Sequence, residues 1–495
     1  MKPPRLGHAD REFFALAASA AFANPFSEER ERVDRAIAAV GPSARRPETV
    51  DRMLAALAAR LASLEQRDKL HLARYTGDDR RTLATALLFH HYHRCVNDMD
   101  AHIRAQLVAG DEPVAAPFSR DALGMLQQSG FSNEEATRYF GLFFQLRRAF
   151  YFIRDALIGE SPSMHTLRRS LWNNVFTADV RWYDRHLWRR MEDFSTLLLG
   201  ETGAGKGACA AAIGRSGFIP FDERTQRFAE SFTRAFIPIN LSQFPESLIE
   251  SELFGHQKGA FTGAIESHDG VFARCSRHGA TFLDEIGDVS VPVQIKLLQV
   301  LQERTFSPVG SHKTLRFEGR VIAATNKPLD ALRAREVFRE DFFYRLCSDV
   351  ITVPPLRERL AECPGELDTL VAHLVRRMTD APAPELCTLA LDTLRACLPE
   401  DYRWPGNVRE LEQAVRRIIL TRSYTGEAVP QPEDPAARFA RGIAEQTHTA
   451  RDLLAGYCRQ IFARHGTFEE VARRTGLDRR TARKYATLAT QEQRP

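Results

Sequence analysis

No stretch of the chain stays apolar for the roughly 20 positions that a membrane-spanning helix needs, so the pattern asks for no bilayer. The opening MKPPRLGHADREFF places acids and an arginine where a secretory leader would carry an apolar core. Close cysteine pairs are also missing. The 8 cysteines are scattered, the usage of reduced thiols rather than of a disulfide framework. These absences set the expectation of a cytoplasmic protein with no membrane partner. A surplus of one charge is scarce too: the formal net charge is +4, too small by itself to imply a nucleic-acid partner. There is no internal repeat. With 44% hydrophobic and 27% charged residues, neither a fibrous chain nor disorder throughout is compatible with the composition. The 495 residues suggest about three domains.

The charge is unevenly placed. Arg451–Pro495 holds ten Lys/Arg against five Asp/Glu, a surplus of +5 that exceeds the total for the whole chain. A basic C-terminus points to a polyanion there. Texture separates the rest. Residues 1–160 read as successive helices: Met53, Leu54, Leu57, Leu61 and Leu64 recur at three- and four-residue steps. Further helices are expected over Arg80–Leu107 and Asn133–Leu157, the latter with Ser132 and Glu135 spaced as a capping box. From about Ser195, the short apolar runs FSTLLLG, AFIPIN, ATFLDEI, RVIAATN and DVITVPP alternate with helical stretches, the pattern of a parallel sheet covered on both faces. Residues 355–422 turn helical again, and 423–448 contain Pro430, Pro432 and Pro435 and suit a linker.

Two motifs carry chemistry. Gly200-Glu201-Thr202-Gly203-Ala204-Gly205-Lys206-Gly207 fits G-x-x-x-x-G-K between an apolar strand and a small-residue helix. Glycines let backbone N–H groups line a phosphate-sized concavity at a helix N-terminus, and Lys206 would reach the β- and γ-phosphates. Gly207 stands where many such loops carry a Ser or Thr for Mg2+. Further on, Thr281-Phe282-Leu283-Asp284-Glu285 ends an apolar strand in two acids, where parallel sheets deliver ligands. Asp284 would hold Mg2+ and Glu285 would polarise the attacking water. Together the motifs predict nucleoside triphosphate hydrolysis.

A third motif names a family. Glu252–Ala264 reads ELFGHQKGAFTGA, and its Gly259-Ala260-Phe261-Thr262-Gly263-Ala264 resembles the loop of the AAA+ activators of sigma-54 RNA polymerase, the bacterial enhancer-binding proteins. The resemblance runs from about Ser161 to Thr421 plus the C-terminal unit, about three-fifths of the chain. It implies ATP as the nucleotide, contact of this hexapeptide with sigma-54, and a ring, usually hexameric. By position it implies that Asn240 couples nucleotide state to the glutamate and that Thr325 and Asn326 sense the γ-phosphate. Arg339 and Arg345 match arginine fingers acting on a neighbouring subunit, and Arg409 matches a lid arginine touching nucleotide. Thr202, Ala204 and Gly207 depart from the family's more frequent Ser, Thr and Glu. So does the lid segment Glu362-Cys363-Pro364-Gly365-Glu366, and Phe218–Arg234 is unusually charged and aromatic for a connection.

At the C-terminus, Thr467–Tyr485 reads as a helix–turn–helix turned at Gly476 and capped by Asp478. Its second helix would present Arg479, Arg480, Thr481, Arg483 and Lys484 to double-stranded DNA. The unit resembles the Fis-type reader of the family. The N-terminal region shows no receiver pattern. Its His91/Cys95 and Asp98/His102 pairs have a spacing that can hold a metal, although buried or merely exposed histidines are the simpler reading. Phe140, Phe143, Phe144, Phe150 and Phe152 suit a core or a domain interface.

The expected architecture is an all-α regulatory domain (1–160), an α/β AAA+ P-loop core (161–354), a helical lid (355–422), a linker (423–448) and a helix-turn-helix DNA-binding domain (449–495). The expected function is ATP-driven open-complex formation by sigma-54 RNA polymerase holoenzyme from DNA upstream of promoters. Two rivals are an AAA+ remodelling ATPase that does not act on sigma-54 and a DNA-binding repressor with a vestigial ATPase.

Overall fold

The computed structural model describes residues 5–67, 70–329, 338–426, 439, 443 and 449–487. The chain divides into two compact units, Met1–Thr425 and Gly426–Pro495.

The first unit opens with seven helices: α1 (His8–Phe22), α2 (Glu28–Ala38), α3 (Arg46–Gln66), α4 (Gly77–Arg94), α5 (Val96–Ala109), α6 (Ser119–Gln128) and α7 (Asn133–Arg154). The apolar stripe of α3 is buried at Met53, Leu57, Leu61 and Leu64. The capping box at Ser132 and Glu135 starts α7 as its residues require. Where one helix was expected over Arg80–Leu107, there are two. Cys95 interrupts them at φ −92°, ψ −1°, its N–H shared between His91 and Tyr92 carbonyls. No proline or glycine marks this break, so periodicity alone reads through it.

His91 and His102 serve packing. The Nε2 of His91 lies 2.9 Å from Ser129 Oγ, and His102 is ringed by Phe118, Phe144 and Phe228. Among the described residues no cluster of three or more His, Cys, Asp or Glu is arranged to hold a metal. Burial pushes His91 and His102 down to about 4 and His93 to about 3. In the unfolded chain each takes a proton near pH 6.5, whereas the native chain refuses it until far lower. The stability they contribute is therefore present above that pH and is lost as pH falls toward 4. A melting temperature that drops steadily between pH 7 and pH 5 is the expected result; a flat or rising one would contradict these neutral histidines.

All five expected strands are present: β1 (Thr196–Leu199), β2 (Phe236–Asn240), β3 (Ala280–Asp284), β4 (Arg320–Thr325) and β5 (Asp349–Thr352). Their order is β2-β3-β4-β1-β5, every pair parallel. Both faces are covered, which is why the strands read as unbroken apolar runs. Leu198, Ile322 and Ala324 face one core, and Leu197, Val321 and Ala323 face the other.

The first of these cores is continuous with that of the N-terminal helices, through the P-loop helix Lys206–Gly214. Packing therefore shows no gap near residue 160. The odd segment Phe218–Arg234 explains itself here. It forms a hairpin, Phe221–Asp222 against Arg227–Phe228. Phe228 stacks on Phe144 at 4.1 Å, and Phe221 meets Phe140 edge-on at 4.8 Å. On the neighbouring turn of α7, Arg148 is fully buried. Its guanidinium donates to the carbonyls of Arg215 (2.8 Å) and Gly217 (2.7 Å), and Gln145 donates to Ser216 O (2.9 Å). These are carbonyls at the C-terminal end of the P-loop helix, where a cation is favoured. Burial pushes Arg148 down to about 9.

Helices Leu356–Glu362, Glu366–Thr379, Pro384–Cys397 and Asn407–Thr421 build the lid around Leu370, Val371, Leu374, Val415 and Ile418. Its altered segment has a structural task. Glu366 Oε2 accepts the N–H groups of Glu160 (2.7 Å) and Ser161 (3.2 Å), and Glu362 accepts that of Ser163 (2.8 Å). These groups begin helix Pro162–Phe176. Buried Arg359 pairs with Glu366 at 2.6 Å. Most of the expected linker lies outside the described residues.

Among the described residues of the second unit, helices Ala450–His465, Phe468–Thr475 and Arg479–Thr487 pack around Cys458, Ile461, Val471 and Ala482. Gly476 turns the chain at φ +70°, and Asp478 Oδ1 accepts the N–H groups of Arg480 and Thr481, both at 3.0 Å.

Candidate functional site

Because every strand of the sheet runs the same way, their carboxyl ends share one edge. The P-loop leaves β1 there, with Gly200 N–H bonded to Thr325 O at 3.3 Å. Gly203 (φ +78°) and Gly205 (φ +109°) hold left-handed conformations that side chains rarely adopt. A Cβ at Gly203 would also collide with the Gly406 carbonyl of the lid. Buried Lys206 folds back on the loop, donating to Gly200 O at 2.9 Å and Glu201 O at 3.3 Å. It opens a helix, so an anion at this loop would meet both the ammonium and the helix N-terminus. Gly207 has room for a side chain, with only the Phe282 ring at 4.0 Å from a built Cβ, and nothing here explains the missing hydroxyl.

The two acids follow on β3. Asn240 and Asp284 are register partners across β2 and β3. Glu285 sits at φ +55°, an uncommon conformation for a residue with a side chain, and its N–H donates to Asp284 Oδ1 at 3.0 Å. Partial burial raises the Glu285 carboxyl above its ordinary range. The Lys206 charge opposes the shift, and Asp284 adds to it. Such a carboxylate suits work as a base. Asp284 makes no ion pair among the described residues, and with Oδ1 accepting from Glu285 its Oδ2 is the oxygen open to a hard cation. Asn326 Nδ2 donates to Thr202 Oγ1 at 3.1 Å, joining the end of β4 to the P-loop. Asn240 does not reach Glu285; its Oδ1 accepts from Ser242 N (3.0 Å) and Oγ (2.7 Å).

The lid closes the edge with residues that motif reading passed over. Arg357 forks onto Glu201 at 2.7 and 2.6 Å. Buried Asn407 donates to Glu201 Oε2 (3.1 Å) and Thr202 O (3.0 Å). Only their neighbours in the WPGN and PPLRER runs hinted at them. Exposed Arg409 stands beside Gly203. Arg339 and Arg345 lie elsewhere, exposed. Arg339 forks onto Asp341 at 3.1 and 2.9 Å, and neither bonds to the P-loop.

The hexapeptide Gly259–Ala264 forms a narrow loop. Gly259 N–H donates to Ala264 O at 2.8 Å, closing its base, with Gly259 at φ +80° and Gly263 at φ +104°. Phe261 and Thr262 are exposed at the tip, Phe261 edge-on to His256 at 5.0 Å.

Residues 184–352 match the sigma-54 interaction domain, and residues 358–449 match an AAA+ ATPase lid domain. The transcriptional regulatory protein ZraR of Klebsiella oxytoca is 34% identical over 332 residues, covering 66% of this chain and 67% of that one. The chain belongs to the sigma-54-dependent enhancer-binding activators. Other relatives are the transcriptional regulator NtrC of Azospirillum brasilense (38% identical; 55% of this chain, 49% of that one) and the nitrogen fixation protein VnfA of Azotobacter vinelandii (42%; 46% and 40%). This activator thus spans about half or less of those two relatives. The first family match begins at residue 184, beyond α7, so the helical region that shares its core with the ATPase sheet lies outside it.

Replacing Lys206 removes the cation at the centre of the loop. Lys206→Ala is expected to lose nucleotide binding by at least about a hundredfold, from lost charge-assisted hydrogen bonds. Fluorescent-nucleotide titration checks it, and retained affinity would reassign the loop.

Proposed function

We propose that this activator binds DNA upstream of promoters, assembles as a ring, usually hexameric, and uses ATP hydrolysis to drive sigma-54 RNA polymerase holoenzyme into the open complex. One observation carries the reading: a phosphate loop, a perturbed glutamate and an asparagine bonded to that loop share one sheet edge, while the same domain holds Phe261 and Thr262 in solvent. An exposed aromatic on two left-handed glycines gains nothing for the monomer and fits a partner contact.

In this mechanism Gly200–Gly207 cradle the phosphates, Lys206 neutralises the developing charge, and Glu285 takes the proton of the attacking water. Mg2+ would be held by Asp284 with phosphate oxygens and would supply charge neutralisation. Thr325 and Asn326 report the γ-phosphate and Arg409 touches the nucleotide from the lid; Asn240, held by Ser242 in this structure, must turn to Glu285 to relay that state. Arg339 and Arg345 serve the adjoining subunit, which fits their exposure and the lack of any bond from either to its own P-loop. Residues 1–160 regulate the ATPase core (161–354) and lid (355–422), and a linker (423–448) leads to the DNA reader (449–495). There the exposed Arg479, Arg480, Arg483 and Lys484, with Thr481, face the duplex. The cytoplasm is the compartment this chemistry requires.

Single-round transcription from a sigma-54 promoter tests the whole proposal. Transcripts are expected with ATP and not with a non-hydrolysable analogue. ATPase activity of the full chain without transcripts would favour a remodelling ATPase with another target. Salt-dependent retardation of promoter fragments by Ala450–Pro495 tests the DNA reader separately; a segment that ignores DNA in low salt is not one.

A further inference from the structure

A cleft of about 1320 Å³ opens among the N-terminal helices, walled by α1, α2, α3, α4, α7, helix Pro162–Phe176 and residues 180–188. It is separate from the nucleotide edge, and its lining is unusual in two respects. The first is charge. Nine arginines line it against four carboxylates. Two of those acids are already taken, Asp34 by Arg30 at 2.7 Å and Asp184 by Arg138 at 2.5 Å. Arg147, Arg181 and Arg81 are paired outside the lining, with Asp100, Asp179 and Asp78. Arg46 and Arg154 have no carboxylate partner among the described residues; Arg46 donates only to the Pro25 carbonyl. Partial desolvation, and then the like charges of Arg154 and Arg30, push the Arg46 guanidinium below its ordinary value, with Glu31 and Asp34 opposing. Cations gathered in excess of their counter-charge are relieved by an anion.

The second respect is the apolar wall. Phe89, Tyr92, Phe143, Phe150 and Trp172 line the same space. Arg30 lies 5.1 Å over Phe89 and Arg147 lies 5.1 Å over Phe150. His93 stands among them with its Nε2 buried and unbonded, neutral and able to serve as a donor. Phe143 and Phe150, expected from sequence to serve core or interface alone, thus also face a cavity.

We propose that this cleft binds a small organic anion with an aromatic body, its ring at the edge of Phe150 and its charge between Arg46 and Arg154. Large apolar pockets with a few convergent polar groups are the usual form of a ligand site. The position gives the ligand a route to the ATPase. Helix α7 carries Arg147 and Arg154 on the cleft side, while Gln145 and Arg148 grip the end of the P-loop helix.

Calorimetric titration of the full-length protein with naphthalene-2-carboxylate and with its neutral amide tests the assignment. The carboxylate is expected to bind about tenfold tighter, the worth of one charge-assisted contact. Arg46→Gln/Arg154→Gln is expected to abolish that preference; both arginines are exposed, so the fold is expected to persist. Phe150→Leu is expected to weaken both compounds alike and keep the preference. Equal affinity for the two compounds, no heat from either, or a preference surviving the double arginine variant overturns the proposal.

Discussion

Glu285→Gln is expected to bind ATP as the parent does and to hydrolyse it about 10² to 10⁴ times more slowly, the usual contribution of a positioned base. The reason lies in how the side chain is held. Glu285 follows β3 in a left-handed conformation, its N–H tied to Asp284 Oδ1 at 3.0 Å. Partial burial raises its proton affinity, with Asp284 adding and Lys206 opposing. Glutamine keeps the shape but cannot accept a proton from water. The contacts of Lys206 and the P-loop backbone are untouched, so nucleotide affinity is expected to stay within about twofold of the parent, as uniform binding is unchanged. Phosphate release and nucleotide titration on the same preparation separate the two effects. Brisk turnover by the variant would remove Glu285 from its role.

Thr262→Ala is expected to spare ATPase activity and abolish transcription. Thr262 sits at the exposed tip of the Gly259–Ala264 loop, and no hydrogen bond from its side chain holds the loop together. Closure comes from backbone bonds and from glycines at positive φ, which the substitution leaves in place. Losing one hydroxyl there costs the monomer within about 0.5 kcal/mol, the range of ordinary surface changes. At a small contact the same loss is large, because few residues carry most of the binding energy. Runoff transcription beside an ATPase assay decides it: equal transcript yields from parent and variant would sink the loop assignment.

The division between what could be read and what could not follows the range of the interactions. The sequence by itself determined the five strands, the P-loop, the acid pair, the hexapeptide loop and the caps at Ser132 and Asp478. In each, the deciding physics lies within a few residues: glycine's freedom at positive φ, a strand's period, a carboxylate or hydroxyl bonding its own turn. Only the tertiary structure decided what Phe218–Arg234 is for, since its phenylalanines meet α7 across some 70 to 90 residues of chain. It alone set the acids Glu362 and Glu366 against N–H groups some 200 residues earlier, and the lid's Arg357 and Asn407 against Glu201. The same holds for Arg148, a buried donor to the end of the P-loop helix. A side chain's partners at that range depend on how whole elements pack, and no local pattern encodes them.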